Sequence, residues 1–180
     1  MGPAGLCRCG GVFFGPHAQI VGIDIRQECE RYSDDQIAVR IGDQKDSSFL
    51  NTLITEFGAF DVIIDDGSHA MADIFTTFSF MYPRMSKNGV YFVEDLHTAY
   101  RSAFGGGLRR EGTFVEVCKG LIDELHADYT NGALAPTDFT RHTLSMHIYD
   151  SAIVLERGTA TAKVSIITGE GMSPKVVGKS

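Results

Sequence analysis

The segment FDVIIDDGSH, residues 60–69, decides the fold class of this chain. Its apolar part runs directly into two adjacent carboxylates, Asp65 and Asp66, and a Gly-Ser turn then leads to His69. A buried carboxylate without a partner is strongly destabilising, so these acids need a metal ion, a cationic neighbour or solvent beside them. The segment therefore predicts a buried strand whose carboxyl end opens into a ligand site.

Three other apolar segments end in acids in the same way: QIVGIDI (19–25), IAVRIGD (37–43) and GVYFVEDLH (89–97). Their acids are Asp24, Asp43 and the adjacent pair Glu94 and Asp95. Helical periodicity lies between these segments, at residues 47–57 and 71–81. Apolar strands that alternate with amphipathic helices indicate an α/β fold with a mostly parallel sheet, covered on both faces.

The pattern changes after residue 97. Residues 114–129 predict a further helix, and residues 142–158 predict two strands broken at Tyr149-Asp150-Ser151. This hairpin would add an antiparallel edge to the sheet. We expect a poorly ordered leader at 1–18, one α/β domain at 19–158 and a flexible tail at 159–180, because both ends are rich in glycine and small residues.

Composition indicates a globular protein, with 43% hydrophobic and 22% charged residues among 180. The net charge of -7 disfavours nucleic acid or an anionic membrane as a partner. No apolar run is long enough to span a bilayer and the first residues do not form a signal peptide, so we expect a cytoplasmic protein. Reduced thiols are expected for the four cysteines, since they form neither a disulfide framework nor paired metal motifs.

Parallel strands place their carboxyl ends along one edge of a sheet, so the terminal acids should line a single crevice. Consecutive strands joined by one crossover are often neighbours, which would put Asp66 beside Glu94 and Asp95. Carboxylate oxygens from two strand ends suit Mg²⁺, Mn²⁺ or Ca²⁺ better than zinc, and we expect Mg²⁺.

His69 follows Asp66 by three residues and could remove a proton from a substrate hydroxyl held in this crevice. The alternative is that His69 caps the following helix or hydrogen-bonds Asp65. Asp65 has two interpretations as well: it binds the metal, or it pairs with a backbone donor or a helix N-terminus.

DDGSH together with VEDLHTAY, within the series QIVGIDI, IGDQKD and HIYDSAIVLERG, resembles the metal-dependent sugar O-methyltransferases of macrolide biosynthesis over about residues 18–158. This resemblance implies a Rossmann-like class I methyltransferase fold, S-adenosylmethionine and Mg²⁺ as cofactors, and a small glycoside or other hydroxylated molecule as substrate. It also implies assembly into homo-oligomers.

The resemblance assigns roles residue by residue. Asp24 would bind the ribose hydroxyls of the cofactor, and Asp43 with Gln44 would lie beside the adenine. Asp66 would serve both the cofactor site and the metal. Glu94 and Asp95 would complete the metal ligands, and His69 would be the catalytic base.

The family's N-terminal strand and glycine-rich loop, broadly E-x-G-x-G, would precede residue 19, and residues 1–18 contain no match. We therefore expect the first strand of the sheet to be missing. Two alternatives stay open, the first because of this departure and the second because related sequences with the same fold and metal crevice carry a different label. The chain could be a truncated or degenerate methyltransferase-like domain without turnover, or a related antibiotic-pathway enzyme of the kind labelled hydroxylases.

Overall fold

A computed structural model of the protein describes residues 13–161, 163, 165–169 and 172–177. The strands are β1 (Ile20–Asp24), β2 (Ile37–Ile41), β3 (Val62–Asp65), β4 (Val90–Val93), β5 (Thr143–Tyr149), β6 (Ala152–Arg157), β7 (Ser165–Gly169) and β8 (Met172–Val177). The α-helices are α1 (Ser47–Phe57), α2 (Met71–Met81), α3 (Phe114–Leu125) and α4 (Asp138–His142). Most of the leader predicted at 1–18 lies outside the described residues.

The strands form separate hydrogen-bonded sheets. β1 pairs with β2 in parallel, and a second sheet has the order β3-β4-β6-β5. In the second sheet β3 and β4 are parallel, whereas β6 is antiparallel to both β4 and β5. The predicted α/β class and antiparallel hairpin are confirmed, but the parallel strands make two pairs instead of one continuous sheet. The missing first strand stays a prediction.

Local sequence explains where the crossover helices begin and end. The Asp46 carboxylate caps α1 by accepting the backbone N–H groups of Ser48 and Phe49, and Gly58 ends the helix with a φ of 81°. Helix α3 begins at the Thr113 cap and stops at Leu125, four residues before the predicted end, because the chain tightens there into a 3-10 turn.

One apolar core holds the strand–helix–strand unit together. It packs the buried faces of α1, α2 and α3 against the four-stranded sheet, with Tyr91, Phe114, Leu50, Ile74 and Leu155 almost fully buried. Val21 and Ile23 of β1 pack against the same core, so β1 is held beside the larger sheet by side chains.

The predicted tail at 159–180 includes two strands, and its flexibility stays a prediction. β7 and β8 pair as an antiparallel hairpin. The Gly, Ser, Thr and Lys composition does not predict these strands, because strand formation depends on the partner strand as much as on residue propensity. The domain boundaries themselves stay predictions.

None of the described helices is long and apolar enough to cross a membrane, and the cytoplasmic location stays a prediction.

Candidate functional site

Two acids and a histidine converge at the carboxyl ends of β3 and β4. His69 Nε2 lies 3.8 Å from Asp66 Oδ1 and 3.7 Å from Asp95 Oδ2. One ligand atom from each residue lies within 4.8 Å of the others, a spacing that a single cation could span. Pairing of β3 with β4, register Asp65 to Val93, brings these strand ends together, as the sequence predicted.

Unusual backbone occurs at both turns that carry the cluster. His69 and Asp95 have φ values of 57° and 53°, in the left-handed region that non-glycine residues rarely adopt. Such conformations cost of order 1–3 kcal/mol each and persist only where the surrounding structure enforces them. At His69 and Asp95 the left-handed backbone changes the direction of the chain just after β3 and β4 end.

Thr98 connects these turns and was missed by sequence reasoning. Its buried hydroxyl lies 2.8 Å from the Asp95 carbonyl oxygen and 3.2 Å from the His69 carbonyl oxygen, so one proton is shared between two acceptors. A threonine carries no spacing signal of its own, and only the fold shows that it joins the two halves of the cluster.

Glu94 follows β4 directly, and its backbone N–H donates to the Asp65 carbonyl oxygen at 3.0 Å. It lies outside the tightest group of ligand atoms. Partial burial, and after it the neighbouring carboxylates of Asp66 and Asp95, raise the pKa of Glu94. Three acids that repel one another in this way favour a bound cation, which would offset the repulsion.

Asp65 points into the protein, away from the cluster. Its carboxylate is buried and accepts hydrogen bonds from Gln44 Nε2 at 3.1 Å and Tyr91 Oη at 3.3 Å. Burial raises the pKa of Asp65, while these donors oppose the shift. The structure supports the interpretation in which Asp65 pairs internally, with two side-chain donors and with the backbone N–H of Gly67, which also lowers its pKa.

His69 does not cap the following helix. The N-cap of α2 is Ala70, which makes no side-chain hydrogen bond there, and the His69 imidazole faces Asp66 and Asp95 instead. The imidazole is therefore placed to meet a hydroxylated molecule held between the two carboxylates.

The other predicted cofactor residues lie at the ends of β1 and β2, apart from the acid cluster. Asp24 accepts from Arg26 three times, through its backbone N–H at 2.9 Å, Nε at 3.2 Å and Nη2 at 3.1 Å. The side-chain bonds from Arg26 are the main reason that the pKa of Asp24 falls to about 2. Asp43 pairs with Lys45, whose backbone N–H lowers the pKa of that carboxyl.

Gln44 connects the end of β2 to the turn that carries the cluster. Its amide donates to Asp65 and, at 3.1 Å, to Thr77 Oγ1, and its Oε1 accepts the Ser68 N–H at 2.8 Å. The Gln44 side chain therefore orders the DDGSH turn. Its predicted position beside the adenine stays a prediction, as do the other cofactor assignments.

The site combines carboxylate oxygens and one imidazole at the ends of β3 and β4. The ends of β1 and β2 lie on the side of β3, where Gln44 contacts Asp65. Such oxygen donors fit Mg²⁺, which normally keeps waters or substrate oxygens in its shell. The geometry is suited to holding a hydroxylated molecule beside a base.

Comparisons with known proteins confirm the resemblance, although no family model matches the chain. The chain is 34% identical over 155 residues to mycinamicin VI 2''-O-methyltransferase of Micromonospora griseorubida, covering 81% of this chain and 37% of that protein. A tetracenomycin rhamnosyl 3'-O-methyltransferase of Streptomyces olivaceus is 36% identical over 148 residues, which cover 79% of this chain and 38% of that protein.

Solved structures agree. MycE methyltransferase from the mycinamycin pathway, in complex with Mg and SAH, superposes with a TM-score of 0.79 at 33% identity, over 86% of this chain and 41% of that one. Its complex with Mg, SAH and mycinamycin VI gives a TM-score of 0.78 at 34% identity, over 86% and 40%. The chain thus spans well under half the length of the relatives it matches.

Proposed function

We propose that this chain, a homologue of the sugar O-methyltransferases of antibiotic biosynthesis, carries the cofactor and metal sites of an S-adenosylmethionine-dependent O-methyltransferase. Its substrate would be a hydroxyl of a sugar or another small natural product. The observation that carries the proposal is the convergence of Asp66, Asp95 and His69 at two adjacent strand ends.

The chain's residues would divide the chemistry between them. Asp66, Glu94 and Asp95 would hold Mg²⁺, which when bound favours the ionised form of a hydroxyl beside it. His69 would take the hydroxyl proton at Nε2, which lies within 3.8 Å of a carboxylate oxygen of Asp66 and of Asp95. General-base catalysis of this kind contributes roughly 10² to 10⁴-fold in rate.

Asp24 would accept the ribose hydroxyls of S-adenosylmethionine, the methyl donor, which requires Arg26 to release at least one of its bonds to that carboxylate. In the transfer, the substrate oxygen forms a bond to the methyl carbon while the carbon–sulfur bond breaks and its electron pair passes to sulfur. Such an in-line displacement depends mainly on alignment and on exclusion of water.

The test combines binding with turnover. Equilibrium dialysis with labelled S-adenosylmethionine measures cofactor binding, and labelled methyl transfer to a panel of deoxysugar glycosides, with Mg²⁺ or with EDTA, measures activity. We expect Asp66→Asn to lose metal affinity and at least 10²-fold in rate, and His69→Ala to lose 10² to 10⁴-fold in rate with metal affinity kept.

Asp61→Asn is the matched control, because Asp61 is an exposed acid just before the other end of β3. It should leave metal binding and rate unchanged. Methyl transfer that survives EDTA, or a His69→Ala variant that no longer binds the metal, would show that these roles are wrong. Failure of the chain to bind S-adenosylmethionine would reject the proposal for this chain.

A further inference from the structure

The turn that carries Asp95 opens a 3-10 helix, Leu96–Tyr100, in which Asp95 is the N-cap residue. The first N–H groups of a helix have no partner within it, and an aspartate at the N-cap usually accepts one of them through its carboxylate. Asp46 does this at the start of α1, where it accepts the N–H groups of Ser48 and Phe49. Asp95 makes no such side-chain bond, so its carboxylate is not engaged with its own helix.

Ser151, in the turn between β5 and β6, satisfies the first two N–H groups of this 3-10 helix instead. Its carbonyl oxygen accepts the Leu96 N–H at 2.8 Å, and its hydroxyl oxygen accepts the His97 N–H at 3.1 Å. The third N–H group, that of Thr98, donates to the Asp95 carbonyl oxygen at 3.0 Å, which is the bond expected in a 3-10 helix. Ser151 therefore takes the N–H group that a capping Asp95 carboxylate would accept.

The order of the strands places Ser151 at this position. β6 runs antiparallel to β4 with Ile153 opposite Val93, so the residues that follow β4 lie beside those that precede β6. Ser151 has a φ of 62°, in the left-handed region where glycine is common in hairpin turns. Glycine would adopt this conformation without strain, but it would provide no hydroxyl for the His97 N–H.

The same hydroxyl holds the ring of His97. Nδ1 of His97 lies 2.8 Å from Ser151 Oγ and 3.7 Å from Asp95 Oδ1. A serine hydroxyl has one proton and two lone pairs, so it can accept the backbone N–H and form a second hydrogen bond with the ring. Ser151 thus fixes both the backbone and the imidazole of the residue that follows the Asp95 turn by two positions.

The Asp95 carboxylate, which does not cap its helix, faces the cluster. Its Oδ2 lies 3.7 Å from His69 Nε2, and its side chain is 50% exposed, so a cation can reach it. Asp66, His69 and Asp95 are the residues whose ligand atoms lie within 4.8 Å of one another. If the Asp95 carboxylate turned back to cap the helix, this group would lose one of its two acids.

We propose that Ser151 caps the 3-10 helix in place of Asp95 and thereby leaves the Asp95 carboxylate free to bind the cation. Ser151 is a positioning residue, because it acts on the site through the turn that carries Asp95. This inference rests on the proposed function, since the cation is the one assigned there to Asp66, Glu94 and Asp95.

Binding of Mn²⁺, measured from the electron paramagnetic resonance signal of the free ion, tests this role without turnover. Ser151→Gly removes the hydroxyl but keeps the carbonyl oxygen and suits the left-handed turn. We expect the Kd for Mn²⁺ to rise about tenfold or more, because losing a residue that orients a metal ligand typically weakens metal binding by about 10 to 100-fold.

Asn131→Gly is the matched control for replacing a left-handed residue by glycine. Asn131 has a φ of 52° and is exposed in a turn outside the cluster. This variant should change the Kd for Mn²⁺ by less than about twofold, because distant sites act independently.

Asp95→Gly separates an effect through Asp95 from a general effect on the fold. With the carboxylate removed, adding Ser151→Gly should raise the Kd for Mn²⁺ by less than about twofold further, whereas independent effects would add. Ser151→Gly should also leave the binding of labelled S-adenosylmethionine unchanged, because Asp24 and Asp43 lie at the ends of β1 and β2, which form a separate strand pair.

The outcomes separate this inference from the proposed function. A Ser151→Gly variant that binds Mn²⁺ as wild type does would overturn the positioning role alone, as would an equal loss of affinity with and without the Asp95 side chain. The expected Mn²⁺ results without binding of S-adenosylmethionine would keep the role of Ser151 and reject the proposed function. Wild-type protein that binds no Mn²⁺ would reject the metal site and this inference with it.

Discussion

Replacing Gly67 by alanine should test the contact that orders the DDGSH turn. A Cβ at this position would overlap Oε1 of Gln44, the buried amide that accepts the Ser68 N–H and donates to Asp65 and Thr77. The substitution must therefore displace the amide from its partners.

The free energy can be worked from these bonds. A neutral buried hydrogen bond contributes about 1 kcal/mol and one to a charged group about 1.5–3 kcal/mol. Gln44→Ala removes two neutral hydrogen bonds, to Thr77 and Ser68, and one to the Asp65 carboxylate. We therefore expect it to lower the free energy of unfolding by about 3.5–5 kcal/mol. Gly67→Ala should cost slightly less, about 2–4 kcal/mol, because a displaced amide recovers some bonds with water.

Combining the substitutions provides the decisive measurement. Once Gln44 is alanine, the clash with a Cβ at Gly67 disappears, so the double variant should be more stable than the sum of the single changes by at least about 1 kcal/mol. Urea unfolding followed by circular dichroism measures all three variants.

Two matched controls separate this contact from general effects of composition. Gln27→Ala alters an exposed amide and should stay within about 0.5 kcal/mol of wild type. Gly120→Ala lies in α3 with open space around its Cβ and should stabilise by about 0.5–1 kcal/mol. Additive effects of Gly67→Ala and Gln44→Ala would refute the reasoning, because independent sites add.

Three further predictions concern charge and metal. Asp24 has a pKa lowered from 3.8 to about 2, so it contributes stability above about pH 4 that is lost as the pH falls towards 2. Asp24→Asn should therefore cost about 1–2 kcal/mol in urea unfolding at pH 7, discounted for the exposed arginine that pairs with it, and the difference should vanish near pH 2. Thr98→Val removes the hydroxyl that joins the two turns, so it should weaken Mn²⁺ binding by about tenfold in isothermal titration, although Thr98 does not contact the metal. Thr76→Val loses only a hydroxyl bond on the surface of a helix and should leave Mn²⁺ binding unchanged. Mg²⁺ at 100 times its Kd should stabilise the fold by about 2.7 kcal/mol and raise Tm by about 5–11 °C; an equal rise in Asp66→Asn would place the metal elsewhere.

The sequence determined the strands and the acids that end them. Apolar runs that stop at carboxylates, separated by helical periodicity, predicted β3, β4 and the crossover helix α2, because side-chain periodicity is a local property of the chain. The general topology of parallel strands then predicted that Asp66 and Asp95 would meet.

Only the tertiary structure decided which way each side chain points. Asp65 turns inward to Gln44, and Thr98 joins the two turns, although neither residue type nor spacing indicates these partners. Their positions depend on left-handed backbone at His69 and Asp95, a conformation that few non-glycine residues adopt and that the sequence pattern does not reveal. The physical reason is that strand patterns follow from near neighbours in the chain, whereas these conformations are enforced by contacts that exist only after the sheet and helices have packed.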